Sequence, residues 1–418
     1  MTDALKSANP TVLVLGAGRA IVRSVAGLKA AGFRTVVADS IPQPHAFEVA
    51  DVGSPCAVHD VDGLARLIEE HGIDGAVATN EAGVSAIAHL AQQDLVRGLP
   101  LPTAARLASK LEQRQEINRL CPDWAVPFQI VQDVEDVIRA GEALGWPLIL
   151  KPDLSGGGSR GVSLVSDREA AASALAFAQE AAAGSAVLAE RALDGPQFSA
   201  EVLVAEGRAE VLAIGRKRKS RPPYRVDLGV SYPGLAGPDR ALAEQMVKDV
   251  VRALGIENSP AHIEFAMTSA GPRPIEVGGR VGGGFTALLV GHSSGCDPFL
   301  QAARLACGLP VQWPEPDAGA RGAVYGFLTY PPGQAAGFVI PEQVTADPRV
   351  LDAFIFLPPD GQIRPLRWTS QRVGMIAVTG VDADDAMRHF EAISKEMLLD
   401  YADGRRCAPL TNNAEEAC

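Results

Sequence analysis

The sequence predicts a multi-domain α/β chain that opens with a parallel sheet and continues into mixed sheets. Strand–helix–strand alternation fills roughly the first hundred residues, and strand-rich stretches around glycine-rich loops come after it. At 418 residues the chain has the length of roughly three domains of about 150 residues each. Its 47% hydrophobic and 21% charged residues are ordinary for a protein with sizeable cores.

In the first region, TVLVLGAG (11–18) and TVVADS (35–40) read as buried parallel strands, with a helix over 21–31 closed by Gly32. A second helix, Val61–His71, begins after Asp60 and stops at Gly72, and the strand GAVATN (75–80) comes next. Right-handed crossovers then give a parallel sheet. Pro100 and Pro102 break the pattern before a polar helix over 109–120. Cys121-Pro122 and Val126-Pro127 punctuate a linker. The helix Val134–Leu144 has Asp133 as N-cap, Gly145 past its end and Pro147 beyond. Strands over 147–152 and 161–165 flank a glycine loop. Ser166 and Glu169 predict a capping box for an alanine-rich helix that ends near Gly184. A second, mostly β segment begins at 186–190 and includes a helix near 240–254. A third, from about Leu309 to Tyr401, mixes strands with one last helix before a polar tail. No repeat at solenoid spacing is present.

The net charge of −12 disfavours duplex nucleic acid, against which the only counterweight is the basic run from Arg216 to Arg221. Six scattered cysteines, with no CxxC pair, suit a reducing compartment and argue against zinc or a disulfide framework. The polar start MTDALKSANP gives no signal peptide, and no apolar run approaches the ~20 residues that span a bilayer. The expectation is a cytoplasmic protein without membrane or nucleic-acid partners.

Gly16-Ala17-Gly18 ends the first strand as in a dinucleotide fingerprint, with Asp39 at the end of the next strand. Ile21 stands where the third glycine belongs, which weakens an NAD reading. A structural turn, or a small-substrate site at the strand ends, fits better. Lys151 is followed by Pro152-Asp153-Leu154-Ser155-Gly156-Gly157-Gly158-Ser159-Arg160-Gly161. So short-chained a loop frees backbone N–H groups for phosphate oxygens, and Lys151 adds a charge. It is not a Walker loop, since no Gly-Lys-Ser/Thr comes after it. The bland reading is a mobile hairpin.

His262-Ile263-Glu264-Phe265 and Pro274-Ile275-Glu276-Val277 read as two antiparallel strands that bring Glu264 and Glu276 onto one face. Adjacent carboxylates need a cation, and Mg²⁺ takes one or two carboxylates completed by water and phosphate. The alternative is a pair of exposed hairpin glutamates. Gly278-Gly279-Arg280-Val281-Gly282-Gly283-Gly284 then adds a guanidinium fork and free backbone donors. Paired acids, a cation and open N–H groups are the parts of a phosphoryl-transfer site.

In this order, ASKLEQRQEINR, PLILKP with its glycine loop, VLAERALDGPQFSAEVL, the basic segment, VDLGVSYPG, HIEF and PIEVGGRVGGG resemble an ATP-grasp enzyme over residues 10–390. The branch they resemble is that of carboxylate–amine ligases similar to L-amino-acid ligases. The resemblance implies a Rossmann-like N-terminal domain (1–108), a small lid subdomain (109–186), a catalytic subdomain (187–308), a C-terminal mixed α/β subdomain (309–402) and a polar tail (403–418). It places Lys110, Lys151 and the loop residues Ser155, Gly156, Gly157 and Gly158 on ATP phosphates. Glu190, with the backbone of Ala192 and Leu193, would hold adenine, and Gln197 would meet the ribose where the family often has glutamate. Glu264 and Glu276 would bind one or two Mg²⁺, for which Mn²⁺ can substitute, and Arg280 would stabilise an acyl phosphate. The family often has asparagine as a further ligand where this chain has Gly278. In Arg216-Lys217-Arg218-Lys219, alternation puts both lysines on one face, and either Lys217 or Lys219 would contact phosphate.

The implied reaction joins a small-molecule carboxylate to an amine through an acyl phosphate, under a lid over about 122–185, with a homodimer plausible by resemblance. Carboxylation through carboxyphosphate, as in biotin carboxylase, is the neighbouring alternative. An NAD-linked oxidoreductase and a nucleotide binder without turnover are the others.

Overall fold

The computed structural model describes residues 9–154, 157–314 and 321–410. Ser155 and Gly156 of the expected phosphate loop lie outside the described residues, as does the end of the polar tail.

The N-terminal sheet contains β1 (Thr11–Leu15), β2 (Arg34–Ala38), β3 (Val52–Ser54) and β4 (Gly75–Ala78), ordered β3-β2-β1-β4 and parallel throughout. Its central strands are apolar at successive positions because both faces are covered. Val12, Val14 and Val37 pack with Val25 and Leu28 on one side, and Leu13, Leu15 and Val36 pack with Leu64, Ile68 and Leu90 on the other. Asp60 caps the helix Val61–His71 by accepting from the Gly63 N–H, as its position predicts. The Asp39 carboxylate accepts from the backbone N–H groups of Ala17 (2.8 Å) and Ile41 (3.0 Å). It closes its own strand-end turn, which supports the structural reading of Gly16-Ala17-Gly18.

The small sheet contains β5 (Phe128–Val131), β6 (Leu148–Pro152), β7 (Ser163–Val165) and β8 (Val187–Arg191), ordered β5-β8-β6-β7. The helices Val134–Leu144 and Ala171–Ala182 bury Val137, Ala140, Leu175 and Ala178 in its core. Asp133 caps the first of them. The capping box expected at Ser166 and Glu169 does not form. The helix starts later, after Ala170, and Asp167 accepts from the Ala170 N–H instead. Because β8 pairs with β5 and β6, the strand beginning at Val187 belongs to the lid sheet and not to the segment after a boundary at 186.

The large sheet takes β9 (Gln197–Ala205), β10 (Arg208–Lys219), β11 (Asp227–Tyr232), β12 (Ser259–Thr268), β13 (Gly271–Gly278) and β14 (Gly322–Leu328). Beyond them in the chain come β15 (Gly333–Val339), β16 (Val350–Ile355), β17 (Gln362–Ile363), β18 (Gly374–Gly380), β19 (Leu398–Tyr401) and β20 (Arg406–Cys407). The eight-stranded order is β13-β12-β9-β10-β11-β14-β18-β16, so a boundary at 309 cuts across one continuous antiparallel sheet. A last sheet, β17-β15-β19-β20, holds Arg406 and Cys407 of the expected tail in a strand. The amphipathic helix Gly237–Leu254 sets Met246, Val247, Val250 and Leu254 against Phe198, Val202, Ile263 and Phe265 of the large sheet.

The helix Lys110–Leu120 starts at the Ser109 cap and lies along the edge strand β13, not within the lid. Gln113 donates to the Val277 carbonyl and accepts from its N–H, both at 2.9 Å. Arg114 donates to the carbonyls of Pro274 and Ile275. Side chains thus satisfy an edge that another strand would otherwise pair with. No helix among the described residues is long and apolar enough to cross a membrane.

Candidate active site

The small sheet faces the large one across a cleft of about 310 Å³, lined by residues from both sheets, from the N-terminal domain and from the C-terminal segment. Its floor is the hairpin β12–β13. Glu264 and Glu276 are direct cross-strand partners there, as the sequence pattern predicts, followed by a register shift at Phe265. Lys217 pairs with Glu264 and, at 3.0 Å, with Asp227. Lys219 lies 2.7 Å from Asp227 and 3.8 Å from Glu264. Alternation along β10 does put both lysines on the cleft face, and both reach the same two acids. Lys110 reaches Glu276 at 3.3 Å. Burial raises the pKa of Glu264, but Lys217 and Lys219 outweigh it and hold the carboxyl ionised, well below its ordinary range.

Asp153, a loop residue outside the expected ligand set, fixes the position of Lys110. Its carboxylate accepts from Ser109 Oγ (2.8 Å) and the Leu111 N–H (2.9 Å), tying the glycine loop to the start of the helix Lys110–Leu120. Lys151 points from β6 to Glu190 on β8 at 2.9 Å, and Arg114 meets the same carboxylate at 2.8 Å. All three side chains are buried. Burial alone would raise Glu190, yet the two cations bring it down to about 2. Glu190 therefore serves first as counter-ion to Arg114 and Lys151. Leu193 and Gln197 line the cleft, whereas Ala192 does not, and its N–H donates to the Pro147 carbonyl at 3.0 Å. That N–H is not free for a ligand, which leaves the Ala192 carbonyl as its backbone group for adenine.

Arg280 enters from the side of the N-terminal domain. Its Nη2 donates to Glu81 Oε1 at 2.5 Å and its Nη1 to the Val281 carbonyl at 2.9 Å, while Nε is buried without a hydrogen-bond partner. Glu81 opens the helix Glu81–Gln92 just beyond β4, at the carboxyl end of a parallel strand, where open α/β sheets place ligands. A Cβ on Gly278 would lie 3.4 Å from Glu81 Oε1. Glu81 thus fills the neighbourhood into which the missing asparagine side chain would extend.

Behind Glu264, His262 Nδ1 meets the buried Glu201 at 2.5 Å, and Nε2 lies 3.5 Å from Glu264. Burial opposes charge on this imidazole, but the two glutamates raise it to about 9. Glu201 also accepts from the Gly282 N–H at 2.9 Å. A Cβ on Gly282 would come within 2.7 Å of Glu201 and His262, so only glycine permits this approach. On the opposite rim, Gly157 and Gly158 have φ of +83° and +72°, and the Gly158 carbonyl accepts from the Thr369 N–H at 3.0 Å. The C-terminal segment therefore docks on the glycine loop.

Sequence reasoning did not single out Glu81, Asp227, His262, Glu201, Thr369, Arg225 or Arg372. VDLGVSYPG and HIEF contain two of them, so the signal was adjacency to residues already chosen. The others come from segments far apart in the chain. Glu264 and Glu276 fit Mg²⁺, since two carboxylates sit side by side and Glu276 keeps 38% of its side-chain surface exposed to the cleft. Among the described residues no group of three or more His, Cys, Asp or Glu forms a ready-made metal cage.

The parallel domain, the small sheet and the acid-and-lysine floor are arranged around an ATP-grasp domain, the family whose pattern residues 144–287 match. Residues 326–415 match L-amino acid ligase C-terminal domain 2. The L-arginine-specific L-amino acid ligase of Bacillus subtilis is 25% identical over 59% of this chain and 60% of its own length. An uncharacterized protein of Sinorhizobium fredii is 28% identical over 58% of this chain and 51% of its own. The chain thus aligns with little more than half the length of these relatives. The crystal structure of L-amino acid ligase from Bacillus licheniformis superposes with a TM-score of 0.78 at 21% identity, covering 94% of this chain and 99% of that one. This likeness shows the fold.

Proposed function

We propose that the protein is an ATP-dependent ligase that joins the carboxylate of an amino acid to an amine, releasing ADP and phosphate. The observation that carries the reading is the opposed pair Glu264 and Glu276 with Lys110, Lys217, Lys219 and Arg280 around it, beneath the glycine loop. Donor carboxylate oxygen attacks the γ-phosphorus of ATP, the bond to the β-phosphate oxygen breaks, and an acyl phosphate and ADP form. The amine nitrogen then attacks the acyl carbon, the C–N bond forms, and phosphate leaves with the electrons of the C–O bond. The amine proton passes to solvent.

Lys151 orients the phosphates from the lid side, Lys110 from the helix along β13, and Lys217 or Lys219 from the floor. The amides around Gly157 and Gly158 add uncharged donors. Arg280, held by Glu81, faces the transferred phosphoryl group. Glu264 and Glu276 would hold Mg²⁺, which would supply charge neutralisation at the phosphates. Docking of the Thr369 segment on Gly158 excludes water, which would hydrolyse the acyl phosphate. Cys56, Cys121 and Cys296 are free thiols and favour the cytoplasm as its setting, against the disulfide-bonded Cys407, and a homodimer is consistent with this reading. Phosphate release with Mg²⁺, ATP and single or paired amino acids tests the assignment. Release that needed bicarbonate and biotin instead would replace it with carboxylation.

A further inference from the structure

The cations that line the cleft fall into two groups. Lys110, Lys151, Lys217, Lys219 and Arg280 each lie within 4 Å of a carboxylate. Among the described residues Arg225 and Arg372 have no such partner, although both line the same cleft. A third, Arg191, is exposed to solvent.

Arg372 comes directly after the short helical turn Thr369–Gln371. Its Nε donates to the Thr369 carbonyl (2.8 Å) and its Nη1 to the Asp227 carbonyl (3.0 Å), and the guanidinium stacks on Phe327, 3.2 Å from the ring centre. These contacts fix its plane and leave Nη2 uncommitted. Arg225 lies two residues before Asp227, and its Nε is buried without a hydrogen-bond partner. Burial pushes Arg372 down to about 10 and lowers Arg225 as well. Their nearest opposing charge, Asp227, is already paired with Lys217 and Lys219. Half-buried guanidinium groups so placed are costly, a cost that a bound anion relieves.

The anions of the proposed reaction can be apportioned by position. Triphosphate and transferred phosphoryl group belong to the lysines, the paired glutamates and Arg280, on the floor and the N-terminal side. Arg372 and Arg225 enter from the β11–β14 side of the cleft, with Asp227, Tyr325 and Phe327, and Asp227 is already held by Lys217 and Lys219. One anion remains if the amine belongs to an amino acid, namely that molecule's own carboxylate. A guanidinium held flat by an aromatic ring suits it. We propose that Arg372, with Arg225 beside it, binds the carboxylate of the amine-bearing substrate, so that the acceptor is an amino acid and not a simple amine. The inference rests on the ligase reading.

The test compares wild type with Arg372→Gln, Arg372→Lys and Arg225→Gln in Mg²⁺ and ATP. Each of the common L-amino acids is first supplied as donor with excess hydroxylamine, a neutral nucleophile that traps the acyl phosphate as a hydroxamate. The best donor is then given L-amino acids or their carboxamides as acceptors. Arg372→Gln should keep its ATP dissociation constant and lose far more of its dipeptide formation than of its hydroxamate rate, with KM for the amino-acid acceptor up about 10- to 100-fold, as loss of a charged hydrogen bond implies. The carboxamide should serve wild type and variant equally poorly. Arg372→Lys should recover part of the loss, and Arg225→Gln, which removes no hydrogen bond of the fold, should show the same split more weakly. Equal loss of hydroxamate and dipeptide formation would overturn the assignment in favour of a phosphate contact, and an unchanged acceptor KM would overturn it outright. If wild type forms no hydroxamate with any donor, the ligase reading itself fails, and the acceptor site with it.

Discussion

Glu264 and Glu276 stand opposite each other across the β12–β13 pair, and each is met by a lysine from a different element, Lys217 from β10 and Lys110 from the helix Lys110–Leu120. The lysines neutralise the two acids and hold both carboxylates at the floor of the cleft. The sheet register sets this pairing, and the register is fixed by a hairpin whose other face packs in the core.

Glu276→Gln should therefore remove ATP turnover without unfolding the protein. Glu276 is the more exposed of the pair, and its neighbour Lys110 keeps Glu81 and Asp153 as nearby charges. Loss of a charge that acts on the transferred phosphoryl group should cost about 10²-fold or more in phosphate release. Circular dichroism and thermal midpoint should stay close to wild type. Near-normal phosphate release from a folded variant would remove the metal assignment.

A second prediction concerns stability and pH. Glu190 has its carboxyl lowered from an ordinary value of 4.5 to about 2, because Arg114 and Lys151 outweigh the burial that would raise it. A depressed carboxyl contributes stability that is complete above the unfolded value and is lost as pH falls through the folded one. The window is therefore about pH 4.5 down to about pH 2. Glu190→Gln leaves two buried cations without their counter-ion and should cost about 3–5 kcal/mol at neutral pH. Urea unfolding across that window should show a shallower decline for the variant than for wild type. Parallel curves would mean that Glu190 is not the stabilising counter-ion of Arg114 and Lys151.

Much of this was legible in local sequence. Alternation in HIEF and PIEV paired the two acids, Asp60 and Asp133 marked helix starts, and glycine spacing marked the loops. The sheet boundaries were not legible. By chain position β8 looks like a companion of β9, and β14 like the start of a separate C-terminal unit. Their partners are instead set by long-range pairing that no local pattern encodes. The same reason hid Glu81 and Arg372, which reach the cleft from segments separated from its floor by well over fifty residues. A lone Glu after a strand and a lone Arg in a loop are common in surface positions, and only the folded chain shows that both lose solvent. Ser166 illustrates the opposite error. Its capping pattern was present, but the helix began elsewhere once Asp167 took the backbone donor.

The last prediction separates a ligase from a passive nucleotide binder, and it turns on Arg280. The residue lies just past the strand that carries Glu276, is held by Glu81, and has one buried N–H group without a partner. Adenine would lie at the other end of the cleft, near Leu193 and Gln197, so removing Arg280 should leave ATP affinity largely intact. Turnover is another matter. Arg280→Ala removes a pre-organised donor that faces developing charge, and this typically costs about 10²–10³-fold. Arg280→Lys retains charge but loses the planar fork and should fall between the two. Glu81→Gln supplies the control, because it loosens the guanidinium without deleting it. Its rate should drop less than that of Arg280→Ala, with ATP affinity again unchanged. The measurements are the ATP dissociation constant and amino-acid-dependent phosphate release for wild type and the three variants. Normal turnover in Arg280→Ala would end its role at the acyl phosphate. A loss of ATP binding in proportion to rate would make Arg280 a nucleotide anchor, leaving the donor carboxylate to another partner in the same cleft.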